Sequence, residues 1–394
     1  MTCIVQKFGG TSVATLERIN NVADIVAKSK AKGTDIIVVV SAMAGVTNKF
    51  VEYVQNLNAS EGDPEYDQVV SSGESVTAGL LAIALKNRGL NARSYASWQV
   101  PIKTDDRHGR ATISDVEVEN LQRDLKNGIV PVVCGFQGLS PENRITTFGR
   151  GGSDLTAVAV ASAVEADLCE IYSDVDGVYT VDPNIYPDAK KLEHVNYGEM
   201  LKMAAQGAKV LQEQSVSYAM RKNVIIRVAS SFIDGAGTII SGEISSKPFI
   251  GLAVTHNLSH IRVAYASAED LEKIKNLLEF NHIDFSILKQ NQCKNKITIV
   301  VDKRKDWITV NLLKNSESVV SVKREVARRH LSKISVIGRD CSEKNCIETV
   351  EAMKNIKLEV INPSVGDYQT DFLVSSSQLT EAISFLHQYC GLDK

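Results

Sequence analysis

Apolar residues in the first 245 positions of the chain alternate between two rhythms. Residues 3–6 form a short apolar run that stops at a glycine turn. Val13, Leu16, Ile19, Val22 and Val26 then recur at helical spacing. Residues 35–40 are a continuous run rich in β-branched side chains, which suits a strand covered on both faces. The pattern predicts a long helix over 67–86, stopping near Gly89. Further on it predicts strands at 129–133, 167–172 and 224–228, and a helix over 155–164. Strand–helix alternation of this kind predicts an α/β fold, with a mostly parallel central sheet and helices on both faces. Such sheets bind ligands at the carboxyl ends of their strands. Lys7, Ser41 and Ser173 all lie at such ends.

Between residues 235 and 248 the rhythm changes. Strand-like runs at 261–266, 283–288, 297–301 and 319–322 enclose helix-like runs at 268–280 and 307–313. A similar order follows, with strands at 334–337, 357–361 and 371–374 and helices at 343–353 and 378–389. Two small α+β units of βαββαβ type are the simplest account. The predicted domains are therefore 1–245, 246–325 and 326–394.

Composition narrows the function classes. The chain of 394 residues has 44 basic and 47 acidic side chains, a net charge of −3. That balance gives no reason to expect nucleic acid or an anionic membrane as partner. Seven cysteines, an odd number with no C-x-x-C pair, argue against a zinc site or a disulfide framework and suit a reducing cytoplasm. The first residues do not read as a signal peptide. No run of apolar residues approaches the ~20 needed to span a bilayer.

The candidate chemistry lies in glycine-rich turns. Lys7-Phe8-Gly9-Gly10-Thr11-Ser12 and Thr147-Phe148-Gly149-Arg150-Gly151-Gly152-Ser153-Asp154 each precede a helix-like segment. Paired glycines let a backbone approach a ligand, and the free N–H groups of a following helix face an anion. Arg150 adds a planar fork for a carboxylate or phosphate, and Lys7 a compact cation. The first turn could equally be an ordinary capped turn. Three glycines around Arg150 and Asp154 have no evident packing role, which favours function there. Other candidates are the hydroxyls of Ser41 and Thr47, and Glu74, which could receive an ammonium group. Gly73 beside Glu74 weakens a helix by roughly 1 kcal/mol, which suggests a close neighbour at that backbone. Ser173, Asp174 and Tyr179 form a possible nucleotide pocket, and Lys209 matters only if the fold aims it at the same phosphates. The seven histidines form no paired metal motif, and no protein metal site is expected.

Taken together, 7–12, 41–47, 105–111, 148–154, 173–183 and 207–212 resemble the aspartate kinase family of the amino-acid kinase superfamily. The resemblance covers about the first 240 residues; the tail is similar to the paired ACT domains that follow the kinase in that family. It implies phosphorylation of the β-carboxylate of L-aspartate by ATP, giving 4-phospho-L-aspartate. This is the entry step to lysine, diaminopimelate, threonine and methionine. By resemblance, Lys7 and the Gly9 and Gly10 amides hold the transferring phosphoryl group, with Lys209 on the ATP side. Asp154 orients the lysines, and Mg²⁺ is held mainly by the nucleotide phosphates. Arg150 takes the substrate α-carboxylate and Glu74 its ammonium, with Thr47, Gly151, Gly152 and Ser153 alongside. Ser41, Ser173, Asp174 and Tyr179 line the nucleotide site. A cytoplasmic homo-oligomer joined through the ACT-like units is also implied.

Three departures stand out. Asn184 and Gln214 replace arginines usual in relatives, and the ACT-like units lack the glycine turns that normally bind effector amino acids. Two other readings remain open: a kinase for glutamate or acetylglutamate, and a non-catalytic amino-acid sensor.

Overall fold

The computed structural model describes residues 2–59, 61–208, 210–244, 247–256, 258–281, 283, 285–325 and 331–393. The chain divides into two compact units. The first comprises 1–178, 191–204 and 209–245, and the second 179–190, 205–208 and 246–394.

The first unit opens with β1 (Cys3–Phe8), α1 (Leu16–Lys30), β2 (Asp35–Val40), α2 (Val46–Asn56), α3 (Pro64–Val70) and α4 (Ser72–Lys86). Next come β3 (Ala92–Tyr95), β4 (Ile102–Thr104), β5 (Ile113–Val116), α5 (Glu119–Lys126), β6 (Val130–Cys134), β7 (Gln137–Leu139) and β8 (Ile145–Thr147). It continues with α6 (Gly152–Ala163), β9 (Leu168–Ser173), β10 (His194–Asn196), α7 (Tyr197–Ala205), α8 (Glu213–Lys222), β11 (Ile226–Ser230) and β12 (Thr238–Ser241). Eight strands form one sheet in the order β10-β12-β11-β9-β1-β2-β6-β3. Only the β11–β12 pair is antiparallel. Central β1 lies between β2 and β9, with Lys7 in register with Val39 and Ile171. A small second sheet, β5-β4-β7-β8, was not apparent from the sequence because its strands are only three or four residues long.

Local chemistry explains the element ends. The Thr15 hydroxyl accepts from the Arg18 N–H and caps α1. Val13, predicted as helical, falls before that cap, so the turn at Gly9 does not lead directly into a helix. The helix predicted over 67–86 breaks at Ser71 into α3 and α4. Taken as one stretch, Pro64–Lys86 is long and apolar enough on average to pass as a membrane span, but it breaks at Ser71 and carries Glu65, Asp67 and Glu74. Its apolar side chains Ala78, Leu81, Ala82 and Leu85 are instead buried in the core of the sheet, against β2, β6 and α1.

The second unit contains β13 (Phe249–Thr255), β14 (Leu258–Tyr265), α9 (Ala268–Phe280), β15 (Phe285–Asn291), β16 (Lys296–Asp302), α10 (Asp306–Lys314) and β17 (Val319–Glu325). It ends with β18 (Leu331–Gly338), α11 (Glu343–Asn355), β19 (Val360–Gly366), β20 (Gln369–Ser375) and α12 (Leu379–Tyr389). One antiparallel sheet has the order β15-β16-β14-β17, a complete βαββαβ arrangement. The other has the order β13-β18-β20-β19. No strand follows α12 among the described residues, and β13 takes the fourth-strand place beside β18. The division expected at 325/326 therefore does not follow the sheets, because a strand from 249–255 completes the second one. Residues 179–190 join it too: Val181 is buried with Leu252, Phe372 and Leu386.

Leu81 is fully buried in the first unit's core. Leu81→Ala should lower unfolding free energy by about 2–5 kcal/mol, read as an earlier urea midpoint with unchanged slope. A midpoint within error of the parent would contradict this packing.

Candidate active site

Four loops meet at the carboxyl ends of the central strands. The Gly9 N–H donates to the Tyr172 carbonyl at the end of β9, and the Ser41 N–H to the Phe8 carbonyl. The Ala44 N–H donates to Gly10, and the Gly135 N–H to Val40. A Cβ on Gly10 would stand 3.0 Å from the Ala42 carbonyl oxygen. The absence of a side chain at position 10 is thus a packing requirement as well as a means of approach to a ligand.

Lys7 points from β1 toward the head of α6, where its Nζ lies 2.5 Å from Asp154 Oδ1. Both side chains are about nine-tenths buried. Asp154 occupies the first turn of α6, where the helix dipole favours a carboxylate. A side chain at position 9 would come within 3.4 Å of the Lys7 ammonium. That is an ordinary contact distance, so the Lys7 ammonium runs alongside Gly9 without requiring a glycine there. The Gly9 amide, expected to hold phosphate, is already used by Tyr172, whereas the Gly10 N–H has no acceptor among the described residues.

Glu74 is 3% exposed on the first turn of α4. It accepts a hydrogen bond from the Ala42 N–H, yet burial raises its pKa from 4.5 to about 8. Its Oε2 has no hydrogen-bond partner. A buried carboxyl group with one empty oxygen suits a cationic ligand, whose charge would favour the ionised form that burial disfavours. Gly73 has the close neighbour that its place in a helix suggested: a Cβ there would meet Ala42 Cβ at 2.8 Å and Val46 at 3.1 Å. Glu74 and the 41–47 loop are thereby locked together. Thr47 sits half-buried at the start of α2, behind the left-handed Gly45.

The turn before α6 is more structural than its sequence suggests. Gly151, at φ 72°, lies under the Gln212 side chain, and a Cβ on Gly152 would strike Phe136 at 2.6 Å. The glycines here have a packing role as well. Ser153 is buried, and Gly135, absent from the sequence candidates, lets it in: a Cβ at 135 would fall 2.6 Å from Ser153 Oγ and 2.8 Å from the Val40 carbonyl. Gly135 directly follows a strand, as Ser41 does, and that position was the available signal. Arg150 projects into solvent beside this group.

The remaining candidates divide. Ser173 ends β9, its hydroxyl accepting from the Val175 N–H, and Asp174 is exposed next to it. Tyr179 belongs to the second unit. Lys209 lies outside the described residues. Asn184 turns inward on its own loop, both its nitrogens donating to Asp182 Oδ1. Burial pushes the Cys134 thiol up to about 12 and raises Cys169 too, so neither is a thiolate nucleophile at neutral pH.

A buried lysine–aspartate pair at the head of a helix, glycine turns with an open amide, and a buried carboxyl group with an unpartnered oxygen are the chemically distinctive features at the strand ends. The amino acid kinase family model matches residues 2–230. The aspartate kinase of Pseudomonas putida is 36% identical over all of this chain and 98% of its own. The aspartokinase of Pseudomonas aeruginosa is also 36% identical, with the same coverage. E. coli aspartokinase III, solved with aspartate and ADP, superposes with TM-score 0.77 at 25% identity, over 98% of this chain and 99% of that one. The chain belongs to the amino acid kinase family and, within it, to the aspartate kinases.

The raised pKa of Glu74 has a stability consequence. Between pH 4.5 and about 8 the folded chain keeps a proton that the unfolded chain has lost. Stability must therefore fall as pH rises through that window, by a few kcal/mol at most. Glu74→Gln, measured without ligand, should flatten the decline in thermal midpoint from pH 5 to 8.5. Parallel declines in the two proteins would place its source elsewhere.

Proposed function

We propose that the chain transfers the γ-phosphoryl group of ATP to the β-carboxylate of L-aspartate, giving 4-phospho-L-aspartate and ADP. The observation that carries the assignment of roles is the Lys7–Asp154 pair on one side of the Gly10 turn, with Glu74 and its empty Oε2 on the other. A carboxylate is already a nucleophile at neutral pH, so no general base is needed. The obstacle is charge, since an anion must approach a triphosphate. Catalysis is then positioning and electrostatic stabilisation.

In this reading Lys7 and the Gly10 amide meet the transferring group, and Asp154 fixes the Lys7 ammonium. Glu74 accepts the substrate ammonium and Arg150 pairs with its α-carboxylate, beside Thr47, Gly151, Gly152 and Ser153. Ser41, Ser173 and Asp174 line the nucleotide. Tyr179 and Lys209 keep nucleotide-side roles on resemblance alone. Among the described residues no group of three His, Cys, Asp or Glu side chains gathers to hold a metal. By resemblance the reading leaves Mg²⁺ to the nucleotide phosphates, whose charge it neutralises when bound. The pairing of Glu74 with Arg150 favours a free α-amino acid over an acetylated one, and the intact Lys7–Asp154 pair favours an enzyme over a sensor. Exposed Phe280, Trp307 and Val320 on the second unit support a homo-oligomer joined through its ACT-like units, while a cytoplasmic location rests on resemblance alone.

Arg150→Lys keeps the charge but loses the two-pronged geometry. In a coupled ADP-release assay the aspartate KM should rise at least about tenfold, as expected for loss of roughly 1.4 kcal/mol of binding, while the ATP KM stays put. An unchanged aspartate KM removes the α-carboxylate role.

Inhibition by lysine and threonine should be weak. The turn at 266–271 has no glycine. Its first free N–H groups are partly used, because Ser267 and Asp270 close a reciprocal capping box on α9. The kinase rate should hold within about twofold at millimolar lysine, threonine or both, a differential affinity too small to shift a two-state equilibrium far. Strong sub-millimolar inhibition, lost on deleting residues after Lys247, would reveal a working effector site.

A further inference from the structure

A heavily hydrogen-bonded carboxylate of the first unit lies outside the site just described. Asp67, in the middle of α3, is fully buried. Donors converge on it from two separate loops. The Gly109 N–H donates to Oδ1 and Oδ2 at 3.1 and 2.9 Å. The Thr147 N–H donates to Oδ2 at 3.0 Å, and the Thr147 hydroxyl to Oδ1 at 2.6 Å. His108 Nδ1 lies 2.9 Å from Oδ2.

These loops are the ones that frame the Arg150 turn. Thr147 ends β8 and stands three positions before Arg150. Phe148 is buried, and Gly149 has φ 74°. A Cβ on Gly149 would sit 3.3 Å from the Gly109 carbonyl, so the 105–111 loop lies directly against the turn. The Ala111 N–H donates to the Thr147 carbonyl at 2.9 Å, closing the strap. Arg150 itself is exposed, so its own contacts do not hold it in place. Its aim is inherited from the backbone on which it stands.

We propose that Asp67 is the positioning residue of the Arg150 turn. By gathering Gly109, His108 and Thr147 onto one buried carboxylate, it fixes the direction of the guanidinium and sets affinity for the substrate's carboxylate, not for the nucleotide. A carboxylate is required because the backbone N–H groups of Gly109 and Thr147 can only donate, and between them they reach both of its oxygens. An amide at 67 would offer one oxygen and set its own NH₂ against them. The inference rests on the reading that Arg150 holds the α-carboxylate.

The test uses the full chain and four variants. Asp67→Asn removes the anchor. Thr147→Val keeps the shape and removes one donor, and it decides the matter if Asp67→Asn does not fold. Thr147→Ser restores the donor. Arg150→Lys serves as the reference for the carboxylate reading. Displacement of a positioned group by about 1 Å can weaken its contribution ~10²-fold. The aspartate KM should therefore rise about 10- to 100-fold in Asp67→Asn and about tenfold in Thr147→Val. The ATP KM should stay within about twofold in both, and Thr147→Ser should be close to the parent. Hydrogen exchange of peptides covering 105–111 and 147–152 should quicken in the first two variants alone. A folded Thr147→Val with an unchanged aspartate KM, or with both KM values rising together, overturns the proposal. If Arg150→Lys raises the aspartate KM and Thr147→Val does not, the positioning role alone falls. If Arg150→Lys has no effect, the carboxylate reading fails and this inference falls with it.

Discussion

An ion pair between the central strand and the first turn of a helix anchors the catalytic half of this chain. Lys7 can reach Asp154 only because β1 lies in the middle of the sheet and α6 begins at its carboxyl edge. Each charge would be costly to bury alone, and removing either partner strands the other. Both must therefore be present, and the loops around them must be shaped to let the helix head come that close. Gly135 admits Ser153, and Gly151 and Gly152 admit Gln212 and Phe136. In the proposed reaction the pair also holds a cation in readiness, so that incoming phosphate meets charge already fixed in place and little reorganisation is left.

Much of this was legible in the sequence, because the signals were periodic or chemically unusual. The β-branched run at 35–40 is a strand buried along nearly its whole length, and the helix read at 268–280 has those bounds in the structure. The glycine turns marked the loops at the strand ends, and Gly73 correctly announced a close neighbour. What escaped was short or relational. Strands of three or four residues carry too few positions for a period-two pattern to stand out. Asp67 looks like any polar residue in an apolar helix until the fold brings Gly109 and Thr147 to it. The Gly9 amide was assigned to phosphate by resemblance, but the Tyr172 carbonyl on neighbouring β9 engages that N–H. Tyr179 was read with the nucleotide loop because it follows Ser173 and Asp174 closely in sequence; the chain passes into the second unit between Val178 and Tyr179.

The glycine-rich turn before α6 shows how packing and chemistry come to share residues. Read alone, a flexible stretch with an arginine in it looks purpose-built for a ligand. In the fold the same glycines are sites where another element presses on the backbone, and the positive φ of Gly149 and Gly151 belongs to a fixed path. The turn is a rigid mount for an exposed cation. Rigidity of this kind lets a solvent-facing guanidinium act with defined geometry without partners of its own.

The strand exchange in the C-terminal unit has a consequence for how such a protein is made and how it can change. β13 leaves the ribosome before the whole of the first small sheet, yet its partner β18 comes after it. Until then β13 is an apolar edge without a neighbour, open to mispairing during synthesis. The same stitch means that the two small sheets cannot be shed or acquired one at a time. A chain ending after the first would carry a bare strand, and a transplanted second would lack its edge. Over evolutionary time the pair must travel as one cassette, together with the short connector that precedes it.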